Sequence, residues 1–179
     1  IGITTPPIEG DSLAYHIPIA QNIWSGGLLH PKNILHFYPS IGETILSFFY
    51  MFHIPANLFN VVGISLLSYV SYLLGKRAGL KEEMTFIFAV TIALLNISLR
   101  WINTQVIDVW LAVFFVWSLF LIQKPLKNMR DYIVYGISLG LLIGTKNSGP
   151  GFALILFIIY WKHFSHNISF KKFFYFLIP

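Results

Sequence analysis

The chain contains no cysteine. Disulfide frameworks, thiolate metal sites and cysteine nucleophiles are therefore excluded. Charge is nearly as scarce, with Asp, Glu, Lys and Arg making up 11% of the 179 residues, against roughly 25% in a soluble globular domain. Apolar residues fill the difference. Hydrophobic side chains account for 56% and aromatic ones for 17%, and the mean hydropathy is +0.69. Too little polar surface remains to cover a water-soluble domain of this size, which excludes an ordinary cytosolic enzyme, a disordered tail and a nucleic-acid-binding module. The formal net charge of +5, from 12 Lys and Arg against 7 Asp and Glu, is scattered between apolar runs. Topology and anionic lipid explain that balance better than a polyanionic partner does. The composition predicts an integral, multi-pass membrane protein.

No secretory signal is visible in these residues, since no basic stretch precedes an apolar one after Ile1 and Pro6-Pro7 reads as loop. The run Phe173-Phe174-Tyr175-Phe176-Leu177-Ile178 reads as the opening of another apolar helix, so a longer parent chain is expected.

Residues 1–55 are mixed in character, whereas 56–179 alternate apolar stretches with short polar ones. Expected spans are Ala56–Gly75, Met84–Leu99, Val106–Gln123, Tyr132–Thr145 and Pro150–Trp161. A full crossing takes about 20 residues. The last two are short, and are expected to meet at Lys146–Gly151 without each traversing the whole bilayer. With 1–55 outside and one crossing per span, Lys76, Arg77, Lys81, Lys124, Lys127, Arg130, Lys162, Lys171 and Lys172 fall inside. Only Lys32, Arg100 and Lys146 remain outside, as the positive-inside bias requires. The acids sort differently: Glu9, Asp11, Glu43 and Asp108 lie at the outer face, and Glu82, Glu83 and Asp131 at the inner one. The expected fold is all-α, a multi-spanning transmembrane bundle over 56–179 beneath an outer lobe of interfacial amphipathic helices in 1–55. The lobe belongs on the non-cytosolic side of a bacterial or archaeal cell membrane.

Within that lobe, Leu13, Ile17, Ala20 and Trp24 recur at helical spacing and form one apolar stripe, which Gly26-Gly27 ends. Pro18 either kinks this helix or opens it. A second amphipathic piece, Ile41–His53, carries Phe48, Phe49, Tyr50 and Phe52, which suit a headgroup boundary.

Three residues stand out chemically. Asp11 leads a helical turn, where it either caps the helix or acts as a general base at the membrane surface. Asp108 opens the apolar run Val109–Phe115, a position favoured by the helix dipole but also one where ionisable groups are costly and by default functional. Arg100 is its candidate charge partner. Lys146, the only cation between 132 and 161, either snorkels from a helix end or binds phosphate beside the glycine-rich turn. His16, His30, His36 and His53 match no zinc motif. The triplets at Asn96 and Asn167 carry little information.

The run Thr5-Pro6-Pro7-Ile8-Glu9-Gly10-Asp11-Ser12-Leu13-Ala14-Tyr15-His16-Ile17-Pro18 resembles the first outer loop of GT-C polytopic glycosyltransferases. The likeness is to their protein O-mannosyltransferase-like and aminoarabinose-transferase-like branch. Phe37-Tyr38-Pro39-Ser40 with Gly42-Glu43, Val106–Ala112 with Phe114-Phe115, and Gly140–Lys146 resemble the same branch in the same order. Gly10 stands where many relatives have a bulky residue, and no second acid directly follows Asp11. The resemblance implies the N-terminal portion of an inverting transferase that takes sugar from a polyprenyl-phosphate donor to a hydroxyl on a lipid, glycan or protein acceptor. It makes Asp11 the general base. Lys146 or Arg100 would meet the lipid phosphate; Tyr15, His16 and Glu43 are candidate sugar partners. Asp108 would complete an acidic pocket that orients the acceptor or holds a divalent cation.

Two other classes fit the composition. A transporter or flippase would use Asp108 and Lys146 as pathway charges near the midplane. A scaffold subunit would leave the acids unrelated in space. An enzyme requires Asp11 and Asp108 to share an outer cavity.

Overall fold

A computed structural model describes residues 9–26 and 39–161. Thr5–Ile8, His30, Lys32, His36, Phe37, Tyr38, Lys162, Asn167, Lys171 and Lys172 lie outside the described residues. The fold is all-α, with no strand among the described residues. In chain order the helices are α1 (Ile17–Trp24), α2 (Ile41–Met51), α3 (Phe59–Arg77), α4 (Glu82–Leu94), α5 (Asn96–Trp101), α6 (Asp108–Ile122), α7 (Met129–Thr145) and α8 (Gly149–Ile159). α6 lies at the centre, packed on α3, α7 and α8; α4 covers the far side of α3, and α1 pairs with α2.

α1 is preceded without a break by a wide π-helical turn, Ser12–His16, in which the Ile17 N–H reaches back to the Ser12 carbonyl. Pro18 falls in the first turn of α1. The wide turn releases Pro18 from an i→i−4 bond that it has no N–H to make. The extra residue in this turn also rotates the buried face. Ser12, His16, Ile19 and Ala20 are buried, while Leu13 and Trp24 are each about half exposed. The expected Leu13–Ile17–Ala20–Trp24 stripe is thus split between core and surface.

The expected span Met84–Leu99 is also corrected. It breaks at Leu95, whose ψ of 140° is extended, and a new helix starts at Asn96, a weak helix former. The Ser98 hydroxyl donates to the Ile92 carbonyl at 2.9 Å, satisfying a helix-end acceptor that the break exposes.

One apolar core joins lobe to bundle. Ala20, Leu46, Phe49, Phe59, Trp110 and Leu142 belong to a single buried cluster. Phe49 meets Phe59 edge-on with ring centroids 5.7 Å apart, and Phe59 meets Trp110 at 5.3 Å. Close approach between helices is permitted by small residues: a Cβ at Gly63 of α3 would stand 2.9 Å from Val109 Cγ1 on α6. Hydroxyls tie the helices further. Ser118 and Ser138 share a buried hydrogen bond of 2.6 Å between α6 and α7, and Ser68 donates to the Ala89 carbonyl at 2.8 Å between α3 and α4.

The segment Ala56–Arg77, which includes a short 3₁₀ turn before α3, is 22 residues long and apolar enough to cross a membrane. α6 and α7, with 15 and 17 residues, are shorter.

α7 and α8 form a tight hairpin at Lys146–Gly149, closed by the Gly149 N–H on the Lys146 carbonyl at 2.8 Å. A Cβ on Gly149 would lie 2.2 Å from the Leu142 carbonyl oxygen, whereas one on Gly151 would meet nothing within 4 Å. Backbone cannot yield as a side-chain tip does. Gly149→Ala is expected to destabilise the fold by about 1–3 kcal/mol and Gly151→Ala to leave it unchanged. Thermal unfolding followed by circular dichroism distinguishes the two.

Candidate functional site

The π turn, the start of α2 and the α7–α8 hairpin meet around a cavity of about 380 Å³. Tyr15, His16 and Ile19 line one side, Ser40 and Glu43 another, and Lys146, Asn147 and Ser148 the third, with Pro39 and Ile107 filling the remainder. Tyr15, His16, Glu43 and Lys146, drawn from three distant parts of the chain, therefore share one cavity. A π turn in a helix often marks a functional site, and this one carries both Tyr15 and His16.

His16 Nδ1 and Glu43 Oε1 share a hydrogen bond of 2.7 Å, and both residues are at most 3% exposed. Glu43 sits in the first turn of α2, where the helix dipole favours a carboxylate. Its second oxygen, Oε2, is buried and has no hydrogen-bond partner among the described residues. Loss of one member would leave the other buried and unpaired, at a cost of about 3–5 kcal/mol.

Asp108 is the first residue of α6, and its Oδ1 accepts from Lys146 Nζ at 2.7 Å. Lys146 itself follows the last turn of α7 with an extended backbone. Both side chains are partly solvated, so the pair contributes at most about 1 kcal/mol and can open readily. Beyond Asp108 lies an apolar crevice of about 120 Å³, lined by Leu67, Ile97, Trp101 and Ala112.

Arg100 departs from expectation. It is exposed on α5 and lies over the Trp101 ring, 4.9 Å from its centroid. It lines neither the cavity nor the crevice. Asp108 takes Lys146 as its partner instead. The α4–α5 break explains the difference, because it turns α5 away from the continuous helix that the sequence suggested.

Asp11 does not cap the helix through its side chain. Glu9 does that work: its Oε1 accepts from the Asp11 N–H at 3.0 Å, and its Oε2 from the Ser12 N–H and hydroxyl, each at 2.7 Å. Partial burial disfavours the Glu9 carboxylate, but these donors, with the charge of His16, hold its pKa below the ordinary value. The Asp11 side chain, relieved of capping, is exposed at the lobe surface.

Tyr15 joins these acids. Burial, then the negative charges of Asp11, Glu43, Asp108 and Glu9, push its hydroxyl pKa up to about 12. The phenol therefore remains a proton donor at any physiological pH. All four acids act electrostatically on Tyr15, but only Glu43 lines the cavity. Asp108 lines the crevice instead and Asp11 neither of the two, so the cavity is not the chamber shared by Asp11 and Asp108 that was expected of an enzyme. Among the described residues, no group of three or more His, Asp or Glu is placed to hold a metal ion.

Residues with no distinguishing sequence signal build the frame. The Gln105 N–H donates to Ser12 Oγ at 3.0 Å across 93 positions, and Gln105 Nε2 donates to Asn57 Oδ1 at 3.1 Å. Asn60, fully buried in α3, donates to the carbonyls of Trp101 and Val106 at 3.1 and 2.9 Å. These bonds fix the loop that delivers Asp108. Pairs so far apart follow no periodicity. Comparison of the chain with protein-family profiles, curated proteins and solved structures found no match.

If the acids act on Tyr15 together, neutralising one must shift its titration. Asp11→Asn is expected to lower the Tyr15 pKa from about 12 toward the ordinary value of 10. A ¹³C-tyrosine NMR titration reads the change, and an unmoved midpoint would separate Asp11 from the site.

Proposed function

We propose that this protein is a multi-spanning membrane glycosyltransferase acting on a polyprenyl-phosphate sugar at the non-cytosolic membrane face. Several features support a bundle of spanning helices. Ala56–Arg77 has the necessary length. Large apolar side chains are exposed along α4 (Met84, Phe86, Ile87, Leu94) and α8 (Leu154, Ile155, Ile158, Ile159), which suits lipid better than water. Leu13, Trp24, Phe48 and Phe52, exposed on the lobe, suit an interface.

The observation that carries the catalytic reading is Glu43. It lines the cavity that Lys146 also lines, and its buried Oε2 lacks a donor among the described residues. A sugar hydroxyl is a fitting one. Tyr15, held protonated, supplies a donor in return. Lys146, partly solvated at the cavity, presents positive charge for the lipid phosphate.

In the reaction, an acceptor oxygen bonds to the anomeric carbon as that carbon's bond to phosphate oxygen breaks. The acceptor's proton passes to the Asp11 carboxylate, and the bonding pair leaves with the polyprenyl phosphate. Lys146 offsets the charge that develops there. Transporter chemistry is less well supported, because Asp108 and Lys146 stand at helix ends rather than at mid-helix breaks.

Transfer of labelled sugar from a polyprenyl-phosphate donor tests this reading. Asp11→Asn is expected to reduce turnover at least a hundredfold, the scale of a lost general base, with donor binding retained. Lys146→Gln is expected to weaken donor binding instead. Undiminished turnover in Asp11→Asn removes that residue from the mechanism.

A further inference from the structure

A second cavity, of about 650 Å³, lies at the other end of α6 from Asp108. Arg77, Lys124, Lys127 and Arg130 line it, together with a single carboxylate, Asp131. That carboxylate is already engaged. Its Oδ2 accepts from the N–H groups of Lys127 and Asn128 at 3.0 and 3.3 Å, completing a capping box at the start of α7. Among the described residues none of the four cations has an ion-pair partner. Arg77 is held in place: its guanidinium lies over the Phe120 ring, 3.6 Å from the centroid, and donates to the Phe120 carbonyl. Unneutralised cations around a concavity create a strong positive potential. The rest of the wall is apolar, formed by Leu121, Pro125, Leu126 and Val134.

We propose that this cavity binds the phosphate of an anionic phospholipid from the cytosolic leaflet, with the upper acyl chains against the apolar wall. A phosphate diester matches the charge and takes bidentate hydrogen bonds from arginine. The apolar half of the wall favours a lipid over a free phosphate, which would leave that surface uncovered. The proposal rests on the chain being membrane-embedded and is independent of the transferase chemistry.

The test uses the full chain in nanodiscs of phosphatidylcholine with and without phosphatidylglycerol, with retained lipid read by native mass spectrometry. The wild type is expected to retain phosphatidylglycerol preferentially. Lys124→Gln, Lys127→Gln and Arg130→Gln should each reduce that preference by about fivefold, and the triple variant should abolish it. Lys81→Gln, a cation outside the cavity, should not alter it. Equal retention of both lipids by the wild type, or an equal loss in Lys81→Gln, overturns the site. Displacement of the lipid by millimolar glycerol phosphate assigns the cavity to a soluble anion and overturns the lipid. Flotation with pure phosphatidylcholine vesicles separates the premises: a chain that floats without preference has lost only this site, and one that fails to float has lost the membrane reading as well.

Discussion

A carboxylate removed from water must find donors, and Glu43 has found one in His16. Much of the N-terminal lobe depends on that bond. It ties the π turn to α2 and brings Tyr15 against the hairpin between α7 and α8. Because the bond satisfies only one of the two carboxylate oxygens, the other is a buried acceptor with no donor among the described residues. Native interiors keep few such groups.

The two ends of the bundle carry opposite electrostatic characters. Around Tyr15, acids outnumber cations; around Leu121, cations outnumber acids. α6 connects these ends, from Asp108 to Ile122, with hardly a polar side chain between them. Its core contacts are aromatic on the α3 side, through Phe59 and Trp110, and hydroxylic on the α7 side, through Ser118 and Ser138. The arrangement suits a helix that fixes both ends in place and does no chemistry along its length.

Much of the helical outline was legible because apolar runs and their breakers have local signatures. α2, α3, α6 and α7 begin and end within a few residues of the stretches that periodicity suggests. The α7–α8 turn at Lys146–Gly151 was legible from the charge balance, which a single continuous helix there would spoil. The break at Leu95 was not, since Leu94-Leu95 reads as uninterrupted helix until the Ser98 hydroxyl is seen to take over a carbonyl. At the site, residue identity was informative and pairing was not. Asp108 and Lys146 each stood out as lone charges in apolar surroundings, but Arg100 was the nearer partner in sequence. The capping role of Glu9 was hidden because Asp11 occupies the more familiar position. Gln105, Ser12 and Asn60 were invisible, because an amide or hydroxyl in a loop says nothing of a partner dozens of residues away.

The bridge between Asp108 and Lys146 has a further consequence. One lysine cannot neutralise two anions at full strength, so an incoming anion that attracts Lys146 also releases Asp108. The freed carboxylate would then add its full charge to those already acting on the Tyr15 phenol. Occupancy of the anion position is thereby coupled to the field around the Tyr15 hydroxyl, through no moving part other than a single side-chain rotation.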